Sequence, residues 1–287
     1  MAGPTDAAAR PATRPTPERT PRAFDNRTAL DRSGLRLPQR ALDRAMGWGR
    51  NHFVVEVGDV RIAYCYIRKN ACTSFKRLFM DHPPKGAKAA AELRPIDFMR
   101  RHMLLEERAR SDCDAAIFVY RDPVERILSL YRNKFIAREG NSDLFSHFHL
   151  LTGMDPGRAS LRSFVERYFR KRFIKLDRHV LPQRLHLQRM VYTHPTPIGA
   201  LHRTMSSILG AGLADEYFRA PENATRMRRT EAVSGAADLP AEALTRRFRA
   251  SGALPSDDSL LDDDLRRGIE RIYRMDVALI DTLQAGS

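Results

Sequence analysis

Three cysteines in 287 residues, Cys65, Cys72 and Cys113, with no Cys-x-x-Cys pair, leave no material for a disulfide framework. So sparse and odd a number fits a reducing compartment, and a cytoplasmic placement is expected. Long apolar runs are also missing. The longest, such as Ala115-Ala116-Ile117-Phe118-Val119-Tyr120, fall far short of the roughly 20 residues that span a bilayer. A transmembrane enzyme is not expected, while peripheral contact with a membrane surface stays open. The N-terminal arginines are followed by no apolar h-region, so a secretory signal is not expected either. Lysine is scarce: of 49 Lys+Arg only seven are Lys, against 35 Asp+Glu, giving a formal charge of +14. Arg presents a planar fork that grips phosphate, sulfate or carboxylate through two hydrogen bonds, so an anionic partner is the natural inference. Arg-for-Lys usage driven by genomic base composition would give the same count.

What is present is enough for a core, with 43% hydrophobic residues. Residues 1–32 are Arg/Pro/Ala-rich, with prolines at 4, 11, 15, 17 and 21, and read as a disordered tail. Residues 33–287 read as a single α/β domain, with ordered structure beginning between Leu35 and Trp48. His52–Val57 and Val60–Ile67 read as two strands joined by a tight turn at Gly58-Asp59. A helix follows near Phe75 and stops at Pro83-Pro84. A helix is expected over 96–110, then the strand 115–120. Asp122 fits an N-cap, Pro123 the first helical position and Glu125 the third, with Val124, Ile127, Leu128 and Tyr131 facing the core. Leu161 to Phe173 reads as helical, and 262–283 as one terminal helix; 190–255 yields no clear pattern. The expected fold class is α/β, a central mainly parallel sheet flanked by helices, in which ligands sit at the carboxyl ends of the strands.

Two of these strands end in a loop and helix carrying the right atoms for a phosphate. The first loop, Lys69-Asn70-Ala71-Cys72-Thr73-Ser74, is built of small residues that let backbone amides approach an anion. It feeds a helix N-terminus, where free amides and the macrodipole favour negative charge. Lys69 adds a mobile charge, and Thr73 and Ser74 add hydroxyl donors. It is not a Walker loop, because it has no glycine and the lysine comes first. In the second, Arg121 stands at a strand end and Ser129 lies eight residues on, about 9 Å along the helix axis at ~1.5 Å per residue. The two can grip one phosphate from two directions.

These segments resemble the cofactor-binding signatures of sulfotransferases that use 3′-phosphoadenosine-5′-phosphosulfate (PAPS), most nearly the carbohydrate sulfotransferase branch (sulfotransferase family 2). That branch carries a Pro-Lys-x-Ala-Cys-Thr-Ser loop and a Val-Arg-Asp-Pro…Arg…Ser-x-Tyr helix. Here the corresponding stretches are Arg68-Lys69-Asn70-Ala71-Cys72-Thr73-Ser74 and Val119-Tyr120-Arg121-Asp122-Pro123, continuing through Arg126 and Ser129-Leu130-Tyr131 to Lys134. Tyr273 and Asp276 are similar to a closing Tyr-x-x-Asp pattern, and His179 with Pro182-Gln183 to a further shared element. Arg68 stands where the family usually has Pro, and Tyr120 where Val is usual.

The resemblance implies a P-loop-like nucleotide-binding core and transfer of a sulfuryl group from PAPS to an acceptor hydroxyl. A carbohydrate or glycoconjugate is the leading acceptor; a small metabolite stays open. Lys69 and residues Asn70, Ala71, Cys72, Thr73 and Ser74 would hold the 5′-phosphosulfate, and Arg121 with Ser129 the 3′-phosphate. Lys69 would neutralise the leaving oxygen. No metal is called for, and no metal-ligand spacing is seen. A general base is needed: His102 is the first candidate, His179 the second, Glu106 or Glu107 the third. Arg167, Arg170, Lys171, Arg172 and Lys175, interleaved with aromatics, could line an acidic-glycan groove or form a solvated face. Arg226, Arg228 and Arg229 are weaker candidates for nucleotide or acceptor contact. The competing classes are a P-loop-like nucleotide kinase or NTPase, weakened by the missing glycines, and a basic nucleic-acid-binding protein, for which no reading motif is present.

Overall fold

A computed structural model describes residues 22–32, 51–87, 93–140, 143–172, 175–219 and 229–285. At its centre is a four-stranded sheet in the order β2 (His52–Val57), β3 (Val60–Cys65), β4 (Ala115–Tyr120), β6 (His194–Pro197). Strands β2 (His52–Val57) and β3 (Val60–Cys65) form the expected hairpin, in register from Val57 opposite Val60 to His52 opposite Cys65. Gly58 takes the left-handed φ of 60° that a two-residue hairpin asks of its first central position. Strand β4 (Ala115–Tyr120) runs parallel to β3, and β6 (His194–Pro197) parallel to β4. The sheet is thus parallel except for its β2 edge.

Every residue of β4 is buried, which is why it reads as a continuous apolar run rather than an alternation. Its even and odd positions serve different faces. Ile117 and Val119 pack with Tyr64, Phe75 and Phe79 on one side. Ala116, Phe118 and Tyr120 pack with Leu279 and Leu283 on the other. Beyond the sheet, Ile127, Tyr131, Phe135 and Phe164 head a third, helical core.

Several expectations need correction. Residues 24–32 were expected in a disordered tail, yet β1 (Phe24–Asp25) pairs antiparallel with β5 (Val191–Tyr192) and leads into helix α1 (Asn26–Arg32). Phe24 lies edge-on to Phe118, so this short segment covers sheet surface that would otherwise be wet. The start expected between Leu35 and Trp48 lies outside the described residues. The helix expected over 96–110 is α3 (Pro95–His102) alone. Past it the chain straightens, because Val54 N–H donates to Met103 O at 2.8 Å and Leu105 N–H to His52 O at 2.9 Å, pairing it with the open edge of β2. The helix expected over 161–173 is a single turn at Leu161–Ser163 followed by a π-helical turn, Phe164–Tyr168.

The phosphate-loop helix, α2 (Cys72–Asp81), begins three residues earlier than Phe75 and ends just before Pro83. Helix α4 (Pro123–Tyr131) starts where expected: Glu125 N–H donates to the Asp122 carboxylate at 2.9 Å. It continues as a π-helical turn, Arg132–Ile136. The terminal helix is two, α5 (Asp263–Ile272) and α6 (Arg274–Ala285), broken at Tyr273. Among the described residues no helix is long and apolar enough to cross a membrane.

Candidate active site

The loop between β3 and α2 is strained. Lys69 and Ala71 both hold left-handed backbone, φ 71° and 55°, at about 1–3 kcal/mol apiece for residues that carry a Cβ. Ala71 is the residue before α2 and makes no side-chain cap. The two left-handed residues on either side of Asn70 turn the chain sharply into the start of α2. The amides of the first helical turn have no intrahelical acceptor by construction.

That strain is held by a polar lattice. Asn70 is fully buried, and its side-chain amide donates to Val119 O at 2.8 Å and to Gln183 Oε1 at 2.6 Å. Gln183 Oε1 also accepts from Arg121 N–H at 3.0 Å, and Gln183 Nε2 donates to Arg121 O at 2.8 Å. Asp276, fully buried, accepts from the amides of Gln183 and Arg184 at 2.8 and 2.9 Å; burial raises its carboxyl above the ordinary range. Tyr273 hydroxyl donates to Val180 O at 2.6 Å. The Arg126 guanidinium, with no exposed surface, donates to the carbonyls of Arg68, Leu181 and His179 at 3.2, 2.8 and 3.1 Å. Both phosphate loops and the 177–184 segment are therefore one braced unit. The Asn70 side-chain amide belongs to the brace, and its backbone N–H donates to Ile67 O at 3.3 Å, so the residue closes the turn from within.

A cavity of about 1190 Å³ opens on this unit. Lys69, Cys72, Thr73 and His179 line it, and it carries seven Lys/Arg side chains against three carboxylates. Burial, with help from the Lys134 and Arg121 charges, pulls the Lys69 ammonium down from 10.5 to about 8. Arg121 and Ser129, 9% and 5% exposed, do not line the cavity wall. The Arg121 charge nonetheless reaches Lys69, and its Nε donates to Glu125 at 3.3 Å. Ser74 is buried behind the loop.

The candidate bases separate. His102 is exposed at the end of α3, its ring 4.9 Å from Phe98, and is not on the cavity wall, whereas Arg94 and Arg100 of the same region are. Glu106 and Glu107 are exposed and also lie off it. His179 is on the wall and buried, and burial lowers it from 6.5 to about 4 despite the neighbouring Asp177 carboxylate. Arg167, Arg170, Lys171, Arg172 and Lys175 are exposed and do not line the cavity, while Tyr168 and Phe169 are buried; that stretch is a solvated face. Arg229 is exposed; Arg226 and Arg228 lie outside the described residues.

Other cavity groups went unassigned from sequence: Asn133 and Lys134 from the π-helical turn, Glu139, and Arg178. Lys134 Nζ donates to Glu139 O and Asn133 Nδ2 to Glu139 Oε2, both at 2.8 Å. Wide turns of this kind recur at functional sites, but nothing in local composition marks one. Among the described residues no group of three or more His, Cys, Asp or Glu could hold a metal ion.

A nucleotide-scale cavity with cationic walls, opening at the N-terminus of α2 beside a mixed sheet, makes an anion-binding site. The sulfotransferase family model matches residues 51–280, and the chain belongs to that family. Among curated proteins it is similar to carbohydrate sulfotransferase 11 of Rattus norvegicus and of Mus musculus. Each is 29% identical over 132 residues, which cover 42% of this chain and 35% of the relative. The aligned region thus spans about a third of the length of the curated relatives it matches. No solved structure matches the chain.

Proposed function

We propose that this protein is a PAPS-dependent sulfotransferase that sulfates a hydroxyl of a carbohydrate or glycoconjugate. The observation carrying this is the left-handed Lys69–Ala71 loop, which sets a desolvated lysine and a helix N-terminus into a cation-lined cavity. In this reading the core is P-loop-like, and Lys69 with the amides of residues 71–74 binds the 5′-phosphosulfate, while the Asn70 amide is spent on Ile67 O inside the turn. A lysine short of solvation has most to gain from an anion, and more from the charge that develops on the leaving oxygen. Arg121 and Ser129 take the 3′-phosphate, the group that separates PAPS from ATP. His179 is the general base: it is held neutral by burial, so it can accept the acceptor's proton. A glycan acceptor follows from the likeness to carbohydrate sulfotransferases and suits the excess of cavity cations. The cytoplasmic placement belongs to the same reading and is open to cell fractionation.

Calorimetric titration with 3′,5′-adenosine bisphosphate against 5′-AMP and ADP tests the donor site. The bisphosphate is expected to bind at least tenfold tighter, and Arg121→Ala to remove that margin. Equal affinity for all three would overturn the assignment. Transfer of sulfate-35 from labelled PAPS to a panel of glycans then tests the acceptor class.

A further inference from the structure

His179 Nδ1 has two neighbours that make incompatible demands. Asp177 Oδ1 lies 2.5 Å away and requires a proton on Nδ1. Arg68 Nη1 lies 2.9 Å away and, being only a donor, requires a lone pair there. One nitrogen cannot meet both. If Nδ1 carries the proton, Nε2 is free to accept one. If Nδ1 accepts from Arg68, the proton sits on Nε2 and the ring is no base at that atom. Arg68 also pairs with Asp177 at 3.5 Å, drawing on the carboxylate that would orient the imidazole.

The backbones here cannot yield, because Arg126 ties the carbonyls of Arg68 and His179 together. Asp177 is fixed as well, since its Oδ1 accepts from His179 N–H at 2.7 Å. The Arg68 side chain is the movable member. It is about a fifth exposed and stands on the wall of a cavity built for anions. A phosphate or sulfate oxygen pair is a better partner for a guanidinium than a half-shared carboxylate. We propose that Arg68 is a positioning residue that restrains His179 in the empty enzyme and is drawn away by the anionic donor, so that the base is released only when the donor is bound.

This rests on the reading of His179 as the base. In the transfer itself, the acceptor oxygen forms a bond to sulfur as its proton passes to His179 Nε2. The bond from sulfur to the bridging phosphate oxygen breaks, and 3′,5′-adenosine bisphosphate leaves with that electron pair. An imidazolium forming beside Arg68 would be opposed by like charge, which the withdrawal of Arg68 relieves. The other charged or titratable groups on the same cavity wall are Arg178 beside His179, Lys134 from the π-helical turn, Arg100 from α3, Asp143, and His147, which meets the Tyr168 hydroxyl that also accepts from Asp177 N–H. Of the groups that bear on His179, Arg68 alone both touches the ring and competes for its partner.

The test is nitrogen-15 NMR of the imidazoles in the full chain, with His179→Asn giving the assignment. Free wild-type protein is expected to show a measurable Nε2–H fraction at His179. Saturating 3′,5′-adenosine bisphosphate, or Arg68→Gln alone, should convert it to Nδ1–H and raise its pKa by about one unit or more. The same ligand should move Arg68→Gln less than half as far. A pure Nδ1–H ring in free wild-type protein, or identical titrations in wild type and Arg68→Gln, would overturn the proposal. Calorimetry on the same samples separates the two failures. Absent binding condemns the sulfotransferase reading, whereas binding with an unmoved His179 condemns the restraint alone.

Discussion

Lys69 bears the cost of the site it serves. Its ammonium is pulled down to about 8 by burial and by the Lys134 and Arg121 charges, so the folded state binds this proton less tightly than the unfolded chain does. For a base depressed in this way, stability rises with pH between about 8 and 10.5, and at pH 7 the charged group opposes folding. Lys69→Met is therefore expected to raise the unfolding free energy at pH 7 by about 1–3 kcal/mol, seen as a higher urea midpoint, while abolishing affinity for the bisphosphate. A midpoint that falls would show that the lysine is not desolvated. The same depression predicts proton linkage. An anion that neutralises Lys69 raises its pKa, so binding near pH 8 should take up a fraction of a proton. Calorimetric enthalpies in buffers of different ionisation heat would reveal the uptake, and a buffer-independent enthalpy would contradict it.

Among elements, what was legible in the sequence was what is local. The start of α4 needs only Asp122, Pro123 and Glu125, which act within one turn, and the all-apolar β4 needs only its own burial. Asn70 and Arg121 were legible as loop residues, but their partner Gln183 lies far along the chain, and no spacing rule connects them. The break at Tyr273 is set by a hydroxyl that seeks Val180 O, and α3 ends where the following residues find the open edge of β2. Arg126 is the sharpest case: the sequence marks it only as the arginine within a helix motif, with no role attached, yet it has no exposed surface and ties three distant carbonyls. Replacing it with Met would leave the carbonyls of Arg68, Leu181 and His179 buried without donors, at about 1–3 kcal/mol each before relaxation. Arg126→Met is expected to lose roughly 3 kcal/mol or more of stability and to weaken bisphosphate binding although Arg126 touches no ligand. Full stability with normal affinity would show that the two loops are not braced through it.

At the scale of the molecule, the same sheet that positions the site buries histidines that no ligand needs. His52 is fully buried, its Nε2 2.7 Å from the Tyr192 hydroxyl, and burial, aided by Arg110, lowers it from 6.5 to about 3. His186 is also buried, 3.3 Å from the Asn51 side-chain amide, and burial with the Arg126 and Arg68 charges drives it well below 6.5. Both must remain neutral in the fold, while the unfolded chain protonates them near 6.5. The unfolded state then binds more protons throughout the acid range. Stability is complete above about 6.5 and is lost progressively as pH falls toward 3. At pH 5 each histidine costs roughly 2 kcal/mol, a large part of the 5–15 kcal/mol that holds a typical domain together. Urea midpoints measured from pH 8 to pH 5 should therefore fall steeply below about 6.5, and the double variant His52→Asn/His186→Asn should flatten that fall. The Arg-rich composition would tempt one to assign acid lability to charge repulsion, but repulsion is screened by salt, whereas buried imidazoles are not. If 0.5 M NaCl restored the wild-type midpoint at pH 5, surface charge rather than the His52 and His186 interior would be the cause.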